Sequence, residues 1–145
     1  MSKITLQKIF EKIQQLDEYL SYLEKLRKEI KNEKEFISNF HLFGLAERYL
    51  QLSCQIIIDV LDLIIIEEKI EKPEERRETV SLLFNKKILS KNLAPRLEGL
   101  LGFRNILVHE YGKIDRKKVY EYLIERAEDF KIFKKEILKW LKFKI

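Results

Sequence analysis

Between Leu45 and Ile66 the chain has no glycine and no proline, and its apolar residues run almost all the way round a helix. A helix that is apolar on every side must be covered on several sides. This stretch is therefore expected to be the central rod of a bundle, contacting its own neighbours and a second subunit. The helix that contains it is predicted from Phe36 to about Lys69, with an interruption near Gly44. Four Gly and two Pro in 145 residues leave little material for turns, which favours long helices over many short strands. A chain of this length is expected to form one domain, residues 1–145, with a respectable core. The run Ile56–Ile66 is too short to span a bilayer and contains Asp59 and Asp62. With a polar, amphipathic N-terminus that shows no secretory pattern, the expectation is a soluble cytoplasmic protein with no membrane association.

Four further helices follow from period and punctuation. Ile9, Ile13, Leu16, Leu20, Leu23 and Leu26 recur at steps of three and four, which predicts a first helix from Thr5 to about Lys31, with Thr5 as N-cap. Asn32–Glu35 is a polar break. After Phe36–Lys69, a charged connection containing Pro73 runs from Glu67 to Arg77. A short third helix is expected over Glu78–Ile88, with Val80, Leu83 and Phe84 facing inward. Asn92 or Ala94 begins a fourth, in which Pro95 fits the first turn and Gly112 the end. Asp115 caps a fifth that reaches about Lys142, with Val119, Leu123, Phe130, Phe133, Ile137 and Trp140 inside. There is no repeat, no low-complexity segment and no strand pattern. The fold class is all-α, an up-and-down bundle of about five helices.

Charge and rare residues narrow the chemistry. The net charge of +5 is concentrated at one end: from Lys113 onward there are 11 Lys/Arg against 6 Asp/Glu, and the preceding 112 residues hold 18 of each. A phosphate-bearing partner is plausible there, and a solvated helix face is an equally good reading. The lone Cys54 lies in the apolar run and reads as a small buried hydrophobe. His41 has no polar neighbours suited to chemistry and reads as structural or exposed. Glu47, Asp59 and Asp62 have no His or Cys spaced with them to make a metal site. No Gly-rich phosphate loop and no Ser/His/Asp arrangement is present, so no cofactor is expected.

Residues able to do chemistry gather only in Arg104-Asn105-Ile106-Leu107-Val108-His109-Glu110-Tyr111. On a helix, Asn105 and His109 share one face and Arg104, Val108 and Tyr111 another, so Arg104 and His109 diverge by roughly 140°. Two such groups serve one atom more easily when two copies of the helix meet. Taken alone, His109 reads better as a hydrogen-bonded structural residue, and Tyr111 as an aromatic at a helix end.

The string Gly102-Phe103-Arg104-Asn105, with His109, Tyr111 and Gly112, resembles the R-x4-H-x-Y signature of HEPN-domain proteins, and more narrowly the HepT toxins of prokaryotic toxin–antitoxin pairs. The likeness extends upstream to Ala46-Glu47-Arg48 with Gln51, Gln55, Ile58 and Asp59, and with similar helix order covers nearly the whole chain. It implies a dimerising HEPN bundle that acts as a metal-independent endoribonuclease in a type VII-like system. Arg104 and His109 would be catalytic and Asn105 supporting. Arginine offers a phosphate a permanently charged planar fork, and histidine moves protons near neutrality. A minimal nucleotidyltransferase antitoxin would be the partner, adding AMP to Tyr111 and so blocking RNA. Lys113, Arg116 and Lys117 would help bind nucleic acid. A homodimer, or a larger hetero-oligomer with the antitoxin, is the implied assembly. The rival reading keeps the fold and drops the catalysis: a HEPN helical binding module that is partner and substrate of a nucleotidyltransferase. A purely structural helical protein would leave the string without a reason.

Overall fold

The computed structural model describes residues 2–109 and 115–145, and of Val108 and His109 the backbone alone. The central rod is α3, Phe40–Glu67, against which α1 (Lys3–Glu29), α2 (Glu33–Ser38), α4 (Arg76–Asn85), α5 (Leu93–His109) and α6 (Arg116–Ile124) all pack; α7 (Ala127–Lys144) lies on α1, α5 and α6. Twelve residues of α3 are buried, from Leu42 to Ile65. The long apolar helix is thus covered mostly within its own chain, which leaves Phe40 (69% exposed), Leu45 (46%) and Ile66 (69%) as its uncovered large side chains. By length and composition α3 could cross a membrane, but 56% of its most apolar window is buried in the bundle.

The all-α bundle expected from the sequence is present, with two of the five rods divided. The second is interrupted at Asn39, not near Gly44, which sits inside α3. Asn39 Oδ1 accepts the N–H groups of His41 and Leu42, the job of an N-cap, and so ends α2 and starts α3 at one residue. Asn32 caps α2 in the same way through Glu35 N–H. The fifth rod splits at Glu125–Arg126 into α6 and α7. Asp115 does cap α6, through Lys117 and Lys118 N–H. The first helix starts earlier than Thr5, with Ser2 as its cap. Helix α5 begins at Leu93, whose N–H donates to Ser90 Oγ. In α4, Val80 and Leu83 are buried as expected, but Phe84 is 41% exposed, because the helix ends one residue later and turns away. The proposed end of α5 at Gly112 lies outside the described residues.

A polar joint locks α5 to α6 and α7. Asp129, in the first turn of α7, is 1% exposed and accepts from Arg96 of α5 at 2.6 Å and from Arg126 at 2.8 Å. Arg126 also lies over the Tyr122 ring, and Tyr122 stacks on Phe103 of α5, planes 6° apart and centroids 3.9 Å apart. Tyr122 Oη donates to Gly99 O, and a Cβ at Gly99 would meet the Arg126 guanidinium at 2.9 Å, so glycine allows this close approach. Asp129→Ala should lower stability by about 2–3 kcal/mol; the two arginines it would strand are a third exposed, which limits the loss. A melting temperature about 5–10 °C lower by circular dichroism is the expected reading. A loss below about 1 kcal/mol would mean that water replaces the carboxylate fully.

Candidate functional site

Helix α5 carries the Arg-Asn string, and the joint just described fixes its orientation. Phe103, Leu100 and Leu107 are buried, which sets the side of α5 that faces inward. Arg104, next to Phe103, is therefore half-buried and reaches α3. Its Nη2 donates to Gln55 Oε1 at 3.0 Å. Gln55 Nε2 in turn donates to Asp59 Oδ1 at 2.9 Å, one helical turn along α3. Lys12 Nζ of α1 closes the chain on Asp59 Oδ2 at 3.1 Å. Each link of this relay pairs a donor with an acceptor, and the charges at its two ends are both positive, with the carboxylate between them. The relay holds the guanidinium in one orientation while using one of its donors. Arg104 Nε is buried and has no hydrogen-bond partner among the described residues. A buried, unpaired donor costs roughly 1–3 kcal/mol, and an acceptor oxygen reaching it would recover part of that.

Asn105 serves the other side of α5. It is exposed and lines a groove of about 850 Å³ between α4 and α5, with Gly102, Glu98, Arg76 and Arg77. Arg76 is paired with Asp62 at 3.1 Å and Arg77 with Glu75 at 2.8 Å. Neighbours in sequence, Arg104 and Asn105 thus face different helices within one chain, α3 and α4. His109 is helical in its backbone, and its side chain lies outside the described residues, as do Tyr111 and Lys113.

The basic residues expected to help with a phosphate are placed unequally. Lys117 is exposed on the first turn of α6. Arg116 is exposed but engaged: Nη1 donates to Ile37 O at the end of α2, and the guanidinium lies 4.5 Å over the Phe43 ring. Among the described residues it is held to the bundle by one donor and by its face. Desolvation raises the Glu47 carboxyl above its ordinary range, against an opposing pull from Arg116. Cys54 is fully buried; burial pushes its thiol up to about 12, with Arg104 pulling the other way, so it is an inert core residue. His41 is exposed and stacked on Phe40. Among the described residues no group of His, Cys, Asp and Glu is arranged to hold a metal ion. Sequence reading found Arg104 and Asn105 but gave no role to Lys12, Arg76 or Arg77. The first reads as one lysine in a solvated helix face, the others as part of a charged connection.

Residues 16–137 match the family model described as ribonuclease HepT-like. The chain is 29% identical over 130 residues to the tRNA nuclease HepT of Aphanizomenon flos-aquae, covering 90% of this chain and 87% of that one. It is 27% identical over 99 residues to the mRNA nuclease HepT of Shewanella oneidensis, covering 68% and 74%. Among solved structures, its backbone is similar to the tri-AMPylated Shewanella oneidensis HEPN toxin in complex with MNT antitoxin, with a TM-score of 0.80 and 24% identity over 96% of this chain and 99% of that one. The last of these likenesses establishes the shared fold.

Proposed function

The chain belongs to the ribonuclease HepT-like family, and from that premise we propose that it is a metal-independent endoribonuclease, the cytoplasmic toxin of a pair whose antitoxin is a minimal nucleotidyltransferase. The observation that carries this reading is the state of Arg104: a guanidinium held by Gln55 at one nitrogen, with a buried donor still unpaired among the described residues. Such a group is oriented in advance for an oxyanion, and a scissile phosphate supplies one. In the reaction the 2′-oxygen of the RNA attacks the adjacent phosphorus and the bond from phosphorus to the 5′-oxygen breaks. A proton leaves the 2′-hydroxyl and one is delivered to the departing 5′-oxygen. His109 is the group suited to move these protons, and Arg104 the group that holds the phosphate as its charge shifts.

The two residues diverge by roughly 140° on a regular helix, so the site is assembled from two subunits. In a twofold dimer the same patch is presented by both copies, and each composite site receives Arg104 from one and His109 from the other. Asn105, in its groove on the α4 side, orients the histidine or the phosphate from that second direction. Lys113, Arg116 and Lys117 would add positive charge for binding the nucleic acid. The nucleotidyltransferase transfers AMP from ATP to the Tyr111 oxygen, which loses its proton as pyrophosphate leaves, and thereby blocks the site; the toxin and antitoxin assemble as a hetero-oligomer built on the homodimer.

The test is cleavage by the purified protein, freed of its partner, in the presence of EDTA. The expected products carry 2′,3′-cyclic phosphate ends, and the protein should have twice the mass of the 17.6 kDa chain in solution. A strict need for divalent metal overturns the mechanism, and a strictly monomeric active enzyme overturns the composite site. A protein that binds the nucleotidyltransferase and is modified by it, yet cleaves nothing, is a binding module of the same fold.

A further inference from the structure

Far from the motif, where the turn after α4 meets the end of α7, four lysines gather around a cleft of about 790 Å³: Lys86, Lys87, Lys139 and Lys144. Its two carboxylates are already engaged. Glu68 pairs with Lys144 at 2.8 Å, and Glu136 accepts from Ser90 N–H and Oγ. Lys86, Lys87 and Lys139 are exposed and have no ion-pair partner among the described residues. Trp140 forms the floor, and Phe143 stands at the rim, 86% exposed.

Lys87 adds a second observation. Its φ is 61°, the left-handed region that glycine enters without strain and a lysine does not. It occupies the turn that ends α4, where Lys87 N–H bonds Phe84 O and Ile88 N–H bonds Leu83 O. The helix-ending geometry alone would be better served by glycine. Lys69 ends α3 in the same conformation (φ 54°), so the geometry is that of a helix end; at Lys87 this helix end places a cation at the cleft mouth. From Lys139 the charge continues along α7: Lys131, Lys135, Lys139 and Lys142 are all exposed at steps of four, four and three, one stripe of the helix.

We propose that this cleft and stripe bind the sugar–phosphate backbone of a single-stranded RNA segment, with Phe143 stacking on a base, and so anchor the substrate away from the scissile phosphate. Lysines spaced along a helix, with an exposed aromatic at the end, suit a polyanion that offers both a phosphate line and flat bases. The α4–α5 turn adjoins the start of α5, and Arg104 lies 11 residues along that helix from Leu93, roughly 16 Å at 1.5 Å per residue. The anchor therefore engages RNA several nucleotides away from the bond that breaks. This assignment rests on the nuclease reading for its substrate, but its binding arm does not need cleavage.

The experiment compares wild type with the triple variant Lys86→Gln, Lys87→Gly, Lys139→Gln, and separately with Phe143→Ala. Anisotropy of a labelled 12-nucleotide RNA read across a salt series is one readout. Each lost phosphate contact should reduce the slope of log affinity against log salt by about 0.7, so the triple variant should lose about 2. Phe143→Ala should weaken binding about tenfold with the slope unchanged. In cleavage, the triple variant should raise KM for the 12-mer with kcat kept, and cleave a dinucleotide, too short to reach the cleft, as wild type does. The Lys87→Gly change keeps the turn in its best backbone geometry, so a drop in binding cannot be laid to misfolding when melting is unchanged or higher. Unchanged affinity and slope in the triple variant overturn the anchor. Wild-type RNA binding with loss of the nucleotidyltransferase complex also overturns it, and assigns the cleft to an acidic protein surface. If wild type cleaves neither substrate, the nuclease reading fails, and the salt series still decides whether the cleft holds RNA.

Discussion

Arg104→Ala and His109→Ala should each lower RNA cleavage by about 10²–10⁴-fold while melting close to wild type. The magnitude for His109 is that of a lost general acid–base group. For Arg104 it is that of a lost, preoriented donor to a charge that grows in the transition state. The fold should survive the arginine change for a local reason. Arg104 makes one side-chain hydrogen bond, to Gln55, and holds a buried Nε with no partner among the described residues. Losing the first costs about 1 kcal/mol, and losing the second relieves a penalty of similar size. Arg104→Lys should not restore activity: a lysine keeps the charge but lacks the fork that bonds Gln55 and a phosphate together. Gln55→Ala separates holding from touching. Gln55 acts as a positioning residue, so its removal should lower kcat by roughly tenfold with KM little changed, since misplacing a catalytic group is costly even when the group is present. Full activity in Arg104→Ala would remove the arginine from the mechanism. A Gln55→Ala protein with wild-type kcat would show that Arg104 finds its place without the relay.

Much of this was legible in the residues, and what was hidden was hidden for definite reasons. The bundle could be read because helical period and the scarcity of glycine and proline speak without reference to neighbours. Its two extra breaks could not, since neither is marked by a breaker: Asn39 ends one helix and caps the next through its side chain, and the break at Arg126 goes with a buried carboxylate bridging two arginines. Phe84 fitted the inward period of α4, but the helix stops at Asn85 and leaves it outside. Arg104 could be singled out because the motif is contiguous. Its support could not, because Gln55 lies 49 residues away and Lys12 is tied to Asp59 across 47. One sequence carries no sign of such pairings. The left-handed turn at Lys87 is invisible for another reason: a positive φ leaves no trace in the residue type when the residue is not glycine.

Tyr111→Phe should yield a toxin that its antitoxin cannot silence. Carried on to Tyr111, which lies outside the described residues, the helical period would put it on the same side as Arg104, seven residues earlier, and a phosphate attached to its hydroxyl would come within reach of the guanidinium. That guanidinium has one donor committed to Gln55 and Nε unpaired among the described residues. An AMP phosphate would compete for the donors that the scissile phosphate of an RNA needs, and a charge-assisted pair of this kind is among the stronger contacts available. The block then arises at the site itself, with the fold unchanged. Replacing tyrosine by phenylalanine keeps the ring and removes the acceptor oxygen. After incubation with the nucleotidyltransferase and ATP, intact-mass measurement should find one or more AMP units on wild type and none on Tyr111→Phe, and the variant should go on cleaving RNA. Arg104→Ala supplies the complementary arm: it should still be modified at Tyr111, because the arginine is needed to be blocked and not to be labelled. Equal mass gain in Tyr111→Phe and wild type would put the acceptor elsewhere and leave Tyr111 a packing residue.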